Sequence, residues 1–296
     1  MKRIKKRIKK RIKKRPSKRA GAAEKPLRKF SGRLVLLGAG KMGFAMLAGW
    51  LARGLDPRRL TILEPQPAHS VKVLRRRGVA LNPTGKPVTA SAVVIAVKPQ
   101  SAPEALVALA PFVGKSTLAL SIMAGRPLRF LERALPRGTA IVRSMPNTPA
   151  AIGRGITVAC ANAKVTQRQR KLASDLLATI GKVEWVSDEG LMDAVTAVSG
   201  SGPAYVFLLA EALAQAGTAA GLPASLAMKL ARETVAGSGE LLHQSPLDAA
   251  TLRQNVTSPG GTTAAALALL MDEQGLARLM EQAVAAATAR SRELAG

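Results

Sequence analysis

Short, mainly apolar runs recur along residues 34–186, separated by polar, glycine-containing or amphipathic segments. Such runs without polar alternation are typical of strands that are buried on both faces, as in a parallel sheet. Between the first two runs, an amphipathic stretch from Met42 to Arg53, closed by Gly54, predicts a helix. The pattern predicts a Rossmann-like, doubly wound α/β domain. Its strands are expected at residues 34–37, 60–63, 92–97, 117–122, 140–143, 156–159 and 183–186.

A different pattern follows residue 190, where long stretches rich in alanine and leucine carry the periodicity of helices. Glycines and prolines divide these stretches. They stand at Gly200, Gly202, Pro203, Gly221, Pro223, Pro246 and Pro259-Gly260-Gly261. We therefore expect residues 31–189 to form the dinucleotide-binding Rossmann domain and residues 190–296 to form an all-α domain.

About half of the net charge of +27 lies in the first 19 residues. Residues 1–19 hold 13 of the 45 lysines and arginines and no acid, so 32 basic and 18 acidic residues, a difference of +14, remain for the rest. The segment repeats Arg-Ile-Lys-Lys three times. It could contact nucleic acid or an anionic membrane through charge, but it has no aromatic residue for base stacking. We expect residues 1–30 to be a basic, disordered tail.

Composition narrows the function classes. The chain has 47% hydrophobic residues, enough for a buried core. Its apolar runs fall short of the roughly 18 to 20 residues that span a membrane, and the N-terminus lacks a signal-peptide pattern. Cys160 is the single cysteine, so we expect a core residue with no disulfide and no metal site. These features predict a cytoplasmic protein that does not act at a membrane.

A glycine motif lies between the first predicted strand and helix. Gly38, Gly40 and Gly43, with Lys41 and Met42 between the last two, fit the pattern G-x-G-x-x-G. The first glycine allows a tight turn, the second allows close approach of a pyrophosphate, and the third allows the helix to pack on the strand. Backbone N–H groups and the helix dipole would hold the phosphates. The motif predicts NAD(P)H binding; glycine-rich packing without a ligand is the alternative.

An acidic residue follows the second predicted strand. Glu64 stands 21 positions after Gly43, where an acid commonly accepts a hydrogen bond from the adenosine ribose and disfavours NADP. His69 and Lys72, just downstream, would favour a phosphate instead. A solvated acid at the end of a strand is the alternative interpretation. The preference between NADH and NADPH therefore stays open.

Two further segments end predicted strands at the carboxyl edge of the sheet, where doubly wound folds bind ligands. One is Val97-Lys98-Pro99, and the other is the run of residues 145–149, Met-Pro-Asn-Thr-Pro, which contains Asn147. We expect both to flank the nicotinamide and the substrate. Lys98 could equally be a solvated lysine, and prolines also terminate strands.

The helical domain contains two segments rich in glycine and hydroxyl groups, residues 198–205 and 255–263. The second opens a predicted helix, so its N–H groups and hydroxyls suit an anion such as a carboxylate. A helix capped by Thr262 or Thr263 is the alternative.

Taken in order, five segments resemble pyrroline-5-carboxylate reductases over residues 31–296. They read Gly-Ala-Gly-Lys-Met-Gly, Val-Lys-Pro, Met-Pro-Asn-Thr-Pro, Ser-Gly-Ser-Gly-Pro-Ala-Tyr and Asn-Val-Thr-Ser-Pro-Gly-Gly-Thr-Thr. The resemblance implies NAD(P)H-dependent reduction of 1-pyrroline-5-carboxylate to L-proline, the last step of proline biosynthesis. It also implies a helical dimerisation domain that exchanges contacts with a second subunit, in homodimers that assemble into larger rings.

The resemblance also assigns roles to residues. Ser258, Gly261, Thr262 and Thr263 match the loop that holds the substrate, with Thr263 as the catalytic contact to the ring nitrogen. The cofactor would contact residues of the glycine motif and of the strand ends. These are Gly38, Gly40, Lys41, Met42, Gly43, Glu64, Val97, Lys98, Pro99 and Asn147.

The absence of a histidine from these segments agrees with an imine substrate. His69 and His243 are the two histidines, and both lie elsewhere in the sequence. Reduction of a ketone needs a proton donor for the alkoxide, whereas a protonated imine needs only a hydride at carbon. A reductase of the same plan acting on another imine or a β-hydroxy acid remains an alternative. So does a non-catalytic dinucleotide sensor that binds nucleic acid through the tail.

Overall fold

One mixed sheet of eight strands forms the N-terminal domain. The structure, a computed structural model, describes residues 26–295, so most of the predicted tail lies outside the described residues. The strand order is β3-β2-β1-β4-β5-β6-β7-β8, and the first six strands have the Rossmann order. Their bounds are β1 Leu34–Leu37, β2 Leu60–Leu63, β3 Ala80–Leu81, β4 Ala92–Ile95, β5 Leu118–Ser121, β6 Ala140–Met145, β7 Gly155–Ala161 and β8 Gly181–Trp185.

All seven predicted strands are present, and the Rossmann-like fold is confirmed. The pattern of apolar runs does not predict β3, which has only two residues. A second difference concerns β7, which runs antiparallel to β6, whereas the other neighbours are parallel. The connection from Met145 to Gly155 contains only a short 3-10 helix, Thr148–Ile152. A parallel crossover needs a dozen or more residues, so this short connection forces the chain to reverse.

Helices cover both faces of the sheet. Leu34 and Leu36 pack into one apolar cluster, while Val35 and Leu37 pack into the other, as alternation along a doubly buried strand requires. Trp50 is fully buried and donates its indole N–H to the Leu176 carbonyl at 3.0 Å. The helices of this domain are α1 Lys41–Ala52, α2 His69–Lys72, α3 Ala102–Leu109, α4 Leu128–Ala134 and α5 Gln167–Leu177.

Residues 26–30, which the sequence places in the tail, differ from that expectation. Pro26–Lys29 form a 3-10 helix, and Leu27 is buried in the core beside the sheet. The apolar side chains of Leu27 and Phe30 pack against this core despite the basic residues between them. Residues 26–30 therefore do not belong to a disordered tail.

The second domain is all helical within the described residues 190–295, as the sequence predicts. Its helices are α6 Met192–Val195, α7 Gly202–Ala219, α8 Ala224–Gln244, α9 Ala249–Asn255, α10 Thr262–Leu270 and α11 Leu276–Ala295. The last helix packs beside α6 and reaches the first domain at Gly125. Ser291 donates to Asp193 at 2.7 Å, and a Cβ atom on Gly125 would lie 3.5 Å from Leu294.

Many large apolar side chains of this domain are exposed, among them Phe207 and Leu208 on α7 and Leu269 on α10. The continuous helical stretch Glu189–Ala219 has 31 residues and is long and apolar enough to cross a membrane by length and composition alone. This differs from the expectation that no segment would pass that test. Only 11% of the most apolar 18-residue part of this stretch is buried inside the protein.

Candidate functional site

The glycine motif forms the turn from β1 into α1. Gly38 has a left-handed φ of +88°, and its N–H donates to the Leu63 carbonyl at 2.9 Å, which ties the turn to the end of β2. Gly40 is the N-cap of α1, and no side chain caps this helix. Lys41, which is exposed, and Met42, which is half-buried, are its first residues. The start of α1 therefore offers uncapped N–H groups at the positive end of the helix dipole.

The three glycines are required for different reasons. A Cβ atom on Gly38 would lie 2.7 Å from the Ala96 carbonyl oxygen, and one on Gly43 would overlap the Gly38 carbonyl oxygen. Both positions are therefore constrained by the protein itself. A Cβ atom on Gly40 would meet nothing within 4 Å. Open space at Gly40 fits a ligand approaching the backbone, as the pyrophosphate of a dinucleotide does.

Glu64 reaches this turn from the end of β2. Its Oε2 accepts a hydrogen bond from the Ala39 N–H at 2.8 Å, and its Oε1 accepts from the Gln66 N–H at 3.1 Å. The carboxylate is half-buried. The structure thus brings this acid to the glycine turn, so it is more than a solvated residue at the end of a strand.

The segment Val97-Lys98-Pro99 passes beside the same turn. A Cβ atom on Gly38 would lie 2.9 Å from Val97 Cγ1, so this segment borders the glycine motif. Lys98 is exposed. The Pro99 carbonyl accepts from Arg126 at 3.1 and 3.3 Å, and the Arg126 guanidinium lies 4.7 Å from the centre of the Phe130 ring. Sequence reasoning missed Arg126, because it stands in a loop without a recognisable motif.

Asn147 shapes the turn after β6. Its side-chain oxygen accepts from the Ile156 N–H at 3.0 Å and so fixes the start of β7. Asn147 is half-buried at the carboxyl end of β6. Its placement agrees with the expected edge of the sheet, and its hydrogen bond shows an additional structural role.

A π-helical turn brings the helical domain to this edge. Thr196–Gly200 form the π turn, and a Cβ atom on Gly200 would lie 2.6 Å from Met145 Cε. Tyr205 donates its hydroxyl to the Ala197 carbonyl at 3.1 Å and braces the turn. π turns inside helices are frequent at functional sites. The segment 198–205 therefore packs against the end of β6, at the carboxyl edge of the sheet.

The remaining predicted segment joins α9 to α10. Gly261, rather than Thr262 or Thr263, is the N-cap of α10, and no side chain caps the helix. The Gly261 N–H donates to the Ser258 carbonyl at 3.0 Å, and Gly260 has a φ of +67°. Ser258 and Thr262 are exposed, and Thr263 is half-buried. The first N–H groups of α10 are thus available to an anion.

This loop lies apart from the glycine turn in the described part of the chain. Its hydrogen bonds between described residues are local, and none joins it to residues 38–43 or 145–149. Neither α9 nor α10 contains a buried residue. A single chain therefore brings together four of the five predicted segments, and the segment 255–263 is the exception.

An ion pair between a buried arginine and a half-buried glutamate stands at the junction of the domains. The side chain of Arg143 is 6% exposed and lies 2.7 Å from Glu189. Cys160 faces Arg143 across β6 and β7 and is buried, as the sequence predicts. Burial, with a smaller contribution from the Glu189 charge, raises the pKa of the Cys160 thiol to about 11, and Arg143 opposes this rise. Among residues 26–295, no group of three acidic, cysteine or histidine side chains is placed to hold a metal.

Two family models match the chain. The model described as pyrroline-5-carboxylate reductase dimerisation matches residues 189–294. The model described as NADP oxidoreductase, coenzyme F420-dependent, matches residues 33–125.

Full-length relatives carry the name pyrroline-5-carboxylate reductase. The Pseudomonas aeruginosa protein is 38% identical over 265 residues, 89% of this chain and 97% of that protein. The Pisum sativum protein is 37% identical over 91% of this chain and 98% of its own length. Among solved structures, the Coxiella burnetii reductase has a TM-score of 0.82 at 33% identity, covering 90% of this chain and 99% of that one. The Plasmodium falciparum reductase with NADP bound has a TM-score of 0.74 at 30% identity over the same shares.

Proposed function

The chain belongs to the pyrroline-5-carboxylate reductase family, and we propose that it catalyses the NAD(P)H-dependent reduction of 1-pyrroline-5-carboxylate to L-proline in proline biosynthesis. The observation that carries this proposal is the approach of Gly200 to Met145. It places a segment of the helical domain at the sheet edge where Gly40 leaves open space for a dinucleotide. A nucleotide site and a substrate domain thus share one edge.

The nucleotide-binding part of the site is assigned to the first domain. The uncapped start of α1 at Gly40, Lys41 and Met42 would bind the pyrophosphate, with Gly38 and Gly43 shaping the turn. Glu64 would contact the adenosine ribose. Val97, Lys98, Pro99 and Asn147 would border the nicotinamide. When bound, NAD(P)H supplies the hydride.

The substrate-binding part is assigned to the loop before α10. Its uncapped N–H groups, with the hydroxyl of Ser258, would hold the substrate carboxylate, and Gly261 and Thr262 would form the helix start that faces it. Thr263 would contact the ring nitrogen through its hydroxyl. Because a protonated imine needs no further proton, these residues would act by orientation and by electrostatics. His69 lies on α2 and His243 on α8, outside this set.

We propose that a second subunit completes the site. The loop before α10 makes only local hydrogen bonds between described residues, and its two helices bury no residue. Large apolar side chains are exposed on α7, α8, α10 and α11. A homodimer would cover one such face, and further contacts would assemble dimers into a larger ring. Burial in this assembly would explain why Glu189–Ala219 is apolar without a membrane, in a cytoplasmic enzyme.

We propose the domain division 31–189 and 190–296, preceded by the basic segment. Support for the boundary comes from the last strand, which ends at Trp185, and from the dimerisation model, which begins at residue 189. The packing of Leu27 extends the core of the first domain back to Pro26. No further role is proposed for the basic residues before it.

A threonine pair in one loop tests the site. Thr263→Ala removes the hydroxyl assigned to the ring nitrogen, so kcat/KM for the imine should fall by about 10²-fold or more. Thr257→Ala is the matched control, since its hydroxyl donates to the Arg253 carbonyl at 2.7 Å and serves the fold of the loop. Both variants should bind NAD(P)H as the wild type does. Normal turnover by Thr263→Ala would remove Thr263 from the mechanism.

A further inference from the structure

Asn82 holds the backbone of Glu64 on both sides. Its side-chain oxygen accepts from the Glu64 N–H at 2.8 Å, and its amide nitrogen donates to the Glu64 carbonyl at 2.8 Å. The Asn82 N–H also donates to the Ile62 carbonyl at 2.9 Å. The asparagine side chain therefore extends the pairing of β2 with β3 by one residue.

The backbone of Asn82 is unusual. Its φ is +46°, and among residues 26–295 it is the one non-glycine residue with a positive φ. Asparagine tolerates this left-handed conformation better than most residues. The conformation turns the side chain back towards Glu64, where it makes its two hydrogen bonds. A strained position that supports a ligand-facing residue is typical of a functional constraint.

The two hydrogen bonds from Asn82 fix the backbone from which the Glu64 carboxylate extends. With its backbone fixed by Asn82, Glu64 reaches the Ala39 N–H at 2.8 Å, directly before Gly40. In a Rossmann domain, the ribose of the adenosine lies between the glycine turn and the end of the second strand. A carboxylate there accepts hydrogen bonds from ribose hydroxyls, whereas a 2'-phosphate would face a like charge at close range.

We propose that Asn82 is a positioning residue for Glu64, and that the pair gives this enzyme a preference for NADH over NADPH. The inference rests on the proposed function because it assumes that NAD(P)H is the ligand. His69 and Lys72 on α2 are exposed and follow Glu64 in sequence. Their positive charge would favour the 2'-phosphate of NADPH, whereas the Glu64 carboxylate would disfavour it. The measured preference between NADH and NADPH shows which of the two effects is larger.

Nucleotide binding without imine is the direct test. Nicotinamide fluorescence titrations with the full chain should give a Kd for NADH at least about tenfold below that for NADPH. Glu64→Gln keeps the size and removes the charge, so the NADPH/NADH ratio of Kd values should fall by about tenfold. Asn82→Gly permits the positive φ and removes only the amide, and it should lower the same ratio by about threefold or more.

A second asparagine provides the matched control. Asn162 accepts from the Ile141 N–H at 3.1 Å and donates to the Thr139 carbonyl at 3.1 Å, at the amino end of β6. Asn162→Gly should lower Tm and leave the ratio of the two Kd values unchanged. The double variant Asn82→Gly/Glu64→Gln should give the same ratio of Kd values as Glu64→Gln alone, because Asn82 acts through the Glu64 carboxylate.

The outcomes separate this inference from the proposed function. Tighter binding of NADPH by the wild type, or an unchanged ratio in Asn82→Gly, overturns the inference even if the enzyme reduces the imine. Tight NADH binding without reduction of the imine overturns the proposed function and leaves the nucleotide preference in place.

Discussion

The guanidinium of Arg143 lies 2.7 Å from the carboxylate of Glu189, and the same carboxylate oxygen accepts from the Leu128 N–H at 2.8 Å. Three elements meet at this point: β6, the start of α4 and the short 3-10 helix Glu189–Leu191 that leads into the helical domain. Because Arg143 is almost fully buried, its charge depends on Glu189 for compensation. The ion pair therefore holds the end of the first domain, at its boundary with the helical domain, against β6 and the start of α4.

Glu189→Ala should destabilise the protein by about 3 kcal/mol, since it leaves a buried guanidinium unpaired. Urea unfolding followed by circular dichroism measures this change. Glu293→Ala is the control, because its ion pair with Arg290 is exposed on both sides and should contribute less than about 1 kcal/mol. Equal effects of the two substitutions would show that the buried pair has no special role.

Alanine substitutions at two glycines should separate binding from stability. Gly40→Ala projects a methyl group into open space, so stability should change by less than about 1 kcal/mol while nucleotide affinity falls. Gly43→Ala forces a methyl group against the Gly38 carbonyl and should cost about 1–3 kcal/mol of stability. Thermal unfolding and nucleotide titration distinguish the two. Normal nucleotide binding by Gly40→Ala would argue against pyrophosphate at this turn.

A charge on α7 should disrupt the dimer. Phe207 is 62% exposed, and a partner subunit would bury it, so Phe207→Lys should shift sedimentation from the wild-type assembly to the monomer and abolish reduction. Val107→Lys on α3 introduces the same charge at a side chain that is 73% exposed, and it should leave the assembly intact. A Phe207→Lys protein that stays dimeric and active would place the interface elsewhere.

Cys160 should make stability depend on pH in the alkaline range. Its pKa is raised from 9.0 to about 11 in the folded state, so the unfolded thiol ionises first. The free energy of unfolding should therefore decrease as the pH rises from about 9 to 11. Urea unfolding of the wild type and of Cys160→Ala at both ends of this pH range isolates the contribution of the Cys160 thiol to the free energy of unfolding. An identical pH dependence of the two proteins would contradict the raised pKa.

Much of the fold follows from local patterns. The run Leu34–Leu37 and the glycines behind it predict a buried strand, a tight turn and a helix, because each depends on neighbouring residues. The reversal of β7 could not be read from its apolar composition, which is the same for parallel and antiparallel strands in a buried sheet. It follows from the short connection after Met145, whose boundaries only the structure fixes.

The candidate site was predictable where a motif carries it. The glycine turn and Glu64 were identified from spacing, and the structure brings them together at 2.8 Å. Asn82 and Arg126 could not be found in this way. Asn82 acts through tertiary hydrogen bonds from the two-residue strand β3, and Arg126 acts from an irregular loop. Neither contact leaves a periodic signal in the sequence.

Steady-state reduction of 1-pyrroline-5-carboxylate tests the central claim most directly. Purified full-length chain, supplied with the imine and either NADH or NADPH, should oxidise the nucleotide and form an equal amount of L-proline, with Thr263→Ala run in parallel. If the folded, dimeric wild type consumes neither nucleotide, the chain is not a pyrroline-5-carboxylate reductase.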